Sequence, residues 1–399
     1  MTTADDHPAS RENEVGSARA TIAAVSITGV AMLPVWLLGA MAADVQADLA
    51  FGAAALGGAV AVFQGVSALT SIPAGVFAER HGFRVGSLAT IALFVVATAG
   101  IALLTTNWTT LVLWLGVAAA ASSLSSPTVN LGLARLVDPD RRGFAFGIKQ
   151  AAVPAGTIVA GLAVPLIALT IGWRWAFGLS AVAAIPLALT IPRVRDRPAG
   201  RRQQLRATPA LLPPLTLLAA GAGLGSAATS SVGAFFVVSA ISNGIPAGTA
   251  GLTLAAGGAI SVVARIVVGW RADRRDGRHF VVVAAMMTAG AGGVAAFAFV
   301  ATPGALLGAT AAAFALGWGW NGLFDFALVR RMSGTPATAT GVAQTGKYLG
   351  GVIGPFAFGV TVEVVGFRPA WVGAAVALLL AGATVLLART RLRVALDAA

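Results

Sequence analysis

Residues 75–84 read Gly75-Val76-Phe77-Ala78-Glu79-Arg80-His81-Gly82-Phe83-Arg84, and 194 residues later the chain restates them as Gly269-Trp270-Arg271-Ala272-Asp273-Arg274, with Arg278 in the place of Arg84. Each copy is a short polar joint between long apolar runs. The same offset lays Gly147, Gln150, Gly156, Gly172, Arg174 and Ala176 over Gly341, Gln344, Gly350, Gly366, Arg368 and Ala370. One shift serving separate segments is not a by-product of shared hydrophobicity, because several of the matched residues are charged. The chain is read as two parallel repeats.

Outward from these joints the sequence is lipid-like. Of 399 residues 57% are hydrophobic and only 11% charged, against roughly a quarter charged in soluble proteins. Apolar runs fall at approximately 19–43, 51–78, 85–106, 108–137, 144–171, 173–192, 209–240, 248–270, 279–301, 304–329, 338–363 and 369–388. These twelve runs exceed the length of barrel strands and show no alternation, so they are predicted to be transmembrane helices. The predicted fold is an all-α membrane protein of two parallel pseudo-symmetric six-helix bundles. Its expected parts are a disordered cytoplasmic tail over 1–18, bundles over 19–192 and 209–388, a basic linker over 193–208 and a second tail over 389–399.

Basic residues set the orientation. Of 27, 22 fall in the tails and the even-to-odd joints, while Arg174 and Arg368 alone lie in the opposite joints. The positive-inside rule then predicts a multi-pass protein of the cytoplasmic membrane with both termini in the cytoplasm. The net charge of +12 is therefore read as topology and not as nucleic-acid binding. With no cysteine and only His7, His81 and His279, all near charged segments, no metal or cofactor is expected. An enzyme is disfavoured by the lack of a nucleophile–base constellation, a channel by the lack of a repeated filter, and ATP-driven transport by the lack of a phosphate-cradling GxxxxGK[ST].

At residues 75–84, with the copy at 269–274 and the twelve spans, the chain resembles the major facilitator superfamily over nearly its whole length. That resemblance implies a monomeric secondary transporter working by alternating access, its substrate site between the bundles near mid-membrane. It also implies a gating role for Gly75, Glu79, Arg80, Arg84, Gly269, Asp273 and Arg274, whose acids would pair with arginines of neighbouring joints and latch the outward-facing state. A purely topological role for these residues remains open.

Charge inside a membrane is costly and marks function. Both lysines of the chain, Lys149 and Lys347, lie inside spans, whereas every basic joint uses arginine. In the repeat frame Lys149 matches Ala343, one helical turn before Lys347, so spans 5 and 11 are predicted to offer one ammonium each to a central cavity. Lys149 lies near enough to the span's end to snorkel instead. Gln344, Lys347, Tyr348 and Gly351 form a stripe at i, i+3, i+4, i+7 that either lines the cavity or packs helix to helix through Gly350 and Gly351. Gln150 joins Lys149 as a binding candidate. Trp36, Asn130, Trp318, Trp320 and Asn321 are further lining candidates.

Arg265, one turn before Gly269, together with Lys347 looks similar to the cationic pair that meets the substrate carboxylate in the oxalate–formate antiporters; the monocarboxylate transporters share the arginine, whereas in other branches of the superfamily an arginine at this place supports the loop network, and both readings stay open. The implied substrate is a small organic anion. Asp325 is read either as paired locally with Arg330 or as a proton-coupling site, so H+ is the candidate coupling ion. The alternative is proton-coupled efflux of lipophilic or cationic compounds. It is weakened by the absence of an acid in span 1 and by Trp114-Leu115-Gly116 in span 4, where exporters of this superfamily often carry an arginine.

Overall fold

The computed structural model describes residues 8–137, 142–192, 211–273, 278–332 and 336–397, and these are helical almost throughout. The first repeat comprises α1 (Pro8–Ala40), α2 (Ala42–Leu49), α3 (Ala53–Leu104), α4 (Trp108–Leu136), α5 (Arg142–Ala163), a π-helical turn (Val164–Ala168), α6 (Leu169–Ile171), α7 (Trp173–Ala184) and α8 (Leu187–Thr190). The second comprises α9 (Leu212–Ser242), α10 (Ala247–Asp273), α11 (His279–Ala296), α12 (Pro303–Ala312), a π-helical segment (Ala313–Trp318), α13 (Trp320–Arg331), α14 (Pro336–Val365) and α15 (Phe367–Asp397). Among the described residues ten helices are long and apolar enough to cross a membrane.

Ten such helices are compatible with twelve crossings. α3 is 52 residues long, and at 1.5 Å per residue it would reach more than twice the ~30 Å of a hydrocarbon core. Its ladder breaks at Gly82, at φ 78° and ψ 179°, within the first signature joint. Two spans therefore meet there. The tenth span is divided by its π-helical segment into α12 and α13, neither of which crosses alone.

Three differences from the sequence reading concern ends. Residues 8–18 of the expected disordered tail are helical, continuing α1, and 389–397 continue α15 instead of forming a loose tail. The first apolar run, read to 43, ends as α1 at Ala40, and α2 takes up most of the joint before the second. The linker 193–208 and Arg274 lie outside the described residues.

Gly82 stands in a backbone region open essentially to glycine alone, whereas Ala50, at the end of α2, occupies the left-handed region at φ 51°. The two should respond oppositely in thermal unfolding of purified protein. Gly82→Ala should lower stability by about 1–3 kcal/mol, and Ala50→Gly should raise it by up to about 1 kcal/mol.

The repeats meet through contacts that obey the 194-residue offset. Gly39 of α1 packs on Gly233 of α9, its own repeat equivalent. Gly57 of α3 packs on the Pro355 backbone of α14, and the equivalent pair, Gly251 of α10 and Gly161 of α5, packs in the same way. Gln64 lies against Gly351 as Thr157 lies against Gly258. Gly172 and Gly366, also equivalent, both take positive φ, 100° and 88°. This is a pseudo-two-fold relation read off contacts. At most of these points a methyl group would strike backbone of the other repeat, so small residues are what allow the bundles to close.

These close approaches lie between mid-molecule and the end that carries the Arg174 and Arg368 joints. At the arginine-rich end, Gly75, Gly269 and Gly341 make no such close approach. Leu69, in the same arm of α3, is 81% exposed. Among the described residues the glycine contacts between the repeats are thus confined to the middle and one end of the molecule, which they close.

Candidate functional site

Where the seam begins to part, charged side chains from both repeats converge. Lys347 of α14 donates to Asp325 Oδ1 of α13 at 2.6 Å, an ion pair whose side chains are 11% and 36% exposed. The ammonium also lies over the rings of Trp320 and Phe324, at 5.7 and 5.4 Å from their centroids. Such faces attract a cation and hold it away from lipid. Lys149 of α5 and Arg265 of α10 lie close by, because Arg265 bonds the carbonyl of Gln150, next in the chain to Lys149, and that of Trp318, two residues before the Trp320 ring under Lys347. One carboxylate therefore sits among three cations.

The other two cations have neutral partners. Lys149 is 7% exposed and donates to Asn130 Oδ1 of α4 at 2.7 Å, so it is held inside the first repeat and does not reach toward the surface. Arg265 donates through Nη1 to the Gln150 carbonyl at 2.9 Å and through Nη2 to the Trp318 carbonyl at 3.5 Å. Its Nε is buried without an acceptor. Carbonyl dipoles satisfy geometry but carry no compensating charge, so the cluster is net positive by two. Arg265 also ties α5 of one repeat to α10 of the other, a link that any relative movement of the repeats must alter.

Beneath the cluster Trp36 is wedged between Gly156 and Gly233, and its ring meets Trp318 edge-on at 5.1 Å. Trp318 ends the π-helical segment, and its carbonyl accepts from Arg265. Aromatic bulk thus closes the base of the site on the side where the repeats touch.

The structure settles several alternatives of local geometry. Asp325 pairs with Lys347. The α14 stripe divides: Gly350 packs on Gly223 of α9, whereas Gly351 faces Gln64 across the seam. Gln344 is exposed and interacts through its side chain with half-buried Tyr348. Gln150 enters through its backbone carbonyl, a role its side-chain chemistry could not foretell. Gln64 was missed by the sequence reading. Its signal is a single amide in mid-span, aligned by the offset with Gly258.

The gating residues lie apart from this cluster. Glu79 and Arg80 are exposed at the arginine-rich end, and Glu79 makes no ion pair among the described residues. Asp273 ends α10, and its side chain lies outside the description. Among the described residues no three His, Asp or Glu side chains group as a metal site.

Comparison with known proteins agrees with the architecture. The family model of the Major Facilitator Superfamily matches residues 24–355. Similar solved structures include a bacterial homolog of the human lysosomal transporter Spinster, inward-facing and occupied, with TM-score 0.72, 16% identity, and coverage of 93% of this chain and 96% of that one. The unoccupied inward-facing form gives TM-score 0.70 at 16% identity, over 95% and 96%. A D-xylose-proton symporter gives 0.74 at 15%, over 92% and 96%. At these identities the likeness shows the fold. A search of the curated proteins finds no match. With the family model covering most of its length, the chain belongs to the Major Facilitator Superfamily and is a multi-pass membrane transporter.

Proposed function

We propose that this member of the superfamily is a secondary transporter that moves a small organic anion by alternating access across the cytoplasmic membrane. The observation that carries the reading is the gathering of Lys149, Arg265 and Lys347 around the single carboxylate of Asp325. Net positive charge held in a low-dielectric site is costly unless a ligand neutralises it. A substrate carboxylate would take Lys347 from Asp325 and meet the guanidinium of Arg265, a planar fork suited to carboxylates. The resemblance to the carboxylate-transporting branches points the same way. A cationic substrate would have to displace Lys347 against the repulsion of two further cations, which speaks against the efflux alternative.

With the arginine-rich end in the cytoplasm, closure at the opposite end fits an inward-facing state, and Gly75, Glu79, Arg80, Arg84, Gly269, Asp273 and Arg274 would serve as the cytoplasmic gate. Gln344, Tyr348 and Gln150 would complete the substrate path. Uptake of labelled mono- and dicarboxylates into proteoliposomes, beside matched neutral sugars and cationic dyes, tests the substrate class. Saturable carboxylate transport is expected; transport of dyes alone would overturn it.

Coupling has its own test. Substrate capture of Lys347 leaves Asp325 without its counter-ion and able to carry a proton, so Asp325→Asn should abolish uptake driven by a pH gradient while counterflow exchange survives. Equal loss of both would remove Asp325 from coupling.

A further inference from the structure

The closed end carries a second polar link between the repeats. α3 begins after Gly52, which is extended (φ −87°, ψ −175°) and, having no side chain, caps nothing; the first turn of α3 holds no acid. The first amides of a helix need acceptors and favour negative charge. They find both in the other repeat: Glu363, in the last turn of α14, accepts the Ala54 amide through Oε1 at 2.9 Å. Its carboxylate occupies the space that a Cβ on Gly52 would need. Glycine at this cap position is thus what admits the acid.

The pseudo-symmetry isolates the feature. In the equivalent seam, the residues matching Glu363 and Ala54 are Leu169 and Gly248, which touch through the leucine side chain. Two seams close by the same small-residue packing, and only one adds a charged cap. Because the link joins α14 to α3, separation of the repeats at this end must break it.

We infer that Glu363 is a latch that caps α3 in trans and holds this end of the transporter shut, giving way when that end opens. At the far end Glu79 makes no ion pair among the described residues, and acids at opposite ends would engage alternately. The inference rests on the rocking of the repeats proposed above and is independent of the substrate's charge.

The chain has no cysteine, so Thr106→Cys and Asn243→Cys, exposed at this end on different repeats, place two spin labels without interference. Distances are measured by electron–electron double resonance in nanodiscs. The label pair in the otherwise unaltered chain should show mostly the short distance. Glu363→Ala should raise the long-distance population relative to the short by about two- to fivefold, the scale of one solvent-exposed contact to a charged group. Glu363→Gln, which keeps an acceptor without charge, should fall between. Gly52→Ser offers α3 a cap from its own chain, yet adding it to Glu363→Ala should leave the long distance in place. Unchanged distances in Glu363→Ala, or recovery of the short one by Gly52→Ser, would overturn the latch. One short distance in every variant, including the Gly57→Leu control discussed below, would overturn both latch and rocking.

Discussion

Lys347→Met should abolish carboxylate uptake while the protein still inserts and purifies as a folded species. Methionine keeps the length and apolar stem of lysine, so contact with Trp320 and Phe324 persists and only the ammonium is lost. A hydrogen bond to a charged partner contributes about 1.5–3 kcal/mol, which sets a fall in uptake of roughly 10–100-fold or more. The substitution also strands Asp325. Breaking a buried pair costs about 3–5 kcal/mol, and the partial exposure of Asp325 places this case at the lower end or below. Thermal unfolding should therefore shift downward as well.

The double variant Lys347→Met/Asp325→Asn separates the two consequences. Removing both charges relieves the stranded carboxylate, so thermal stability should return toward that of the unaltered chain. Uptake should not return, because the anion has lost its ammonium. Should the double variant transport carboxylates at the normal rate, Lys347 would be a structural partner of Asp325 and the substrate site would lie elsewhere.

How much of this was legible in the sequence depends on what hydropathy reports. Run length and basic joints reflect the bilayer, so the spans and the division into repeats could be read directly. Confinement of Lys149 and Lys347 to spans signalled that both were special. Their partners could not be read: Asp325 precedes Lys347 by 22 residues on another helix, and Asn130 serves Lys149 from a third. No periodicity within one helix contains such a pairing. The helical extension of both tails was equally hidden, because polar composition predicts solvation and says little about a helix propagating from a span already formed. The seam glycines look like ordinary membrane glycines until the other repeat is placed against them.

That seam gives the second large effect. Gly57→Leu should abolish transport by preventing closure at the end that is shut in this state. A side chain on Gly57 would meet the Pro355 carbonyl and the Phe356 backbone, which cannot rotate away as a flexible side chain could. Overpacking a well-fitted contact costs about 1–3 kcal/mol. Because the clash exists only while the repeats touch there, that energy acts on the conformational equilibrium and not on folding. It corresponds to roughly a 5–150-fold shift toward the state open at this end. The transporter would then be unable to complete its cycle, whatever it carries. Spin labels at Thr106→Cys and Asn243→Cys should report the longer distance, with thermal stability little changed. The pseudo-symmetric change, Gly251→Leu, meets the Gly161 carbonyl and Val164 in the other seam and should act in the same direction. A short label distance and normal uptake in Gly57→Leu would mean that the seam accommodates bulk, and small-residue packing would lose its place as the reason the bundles close.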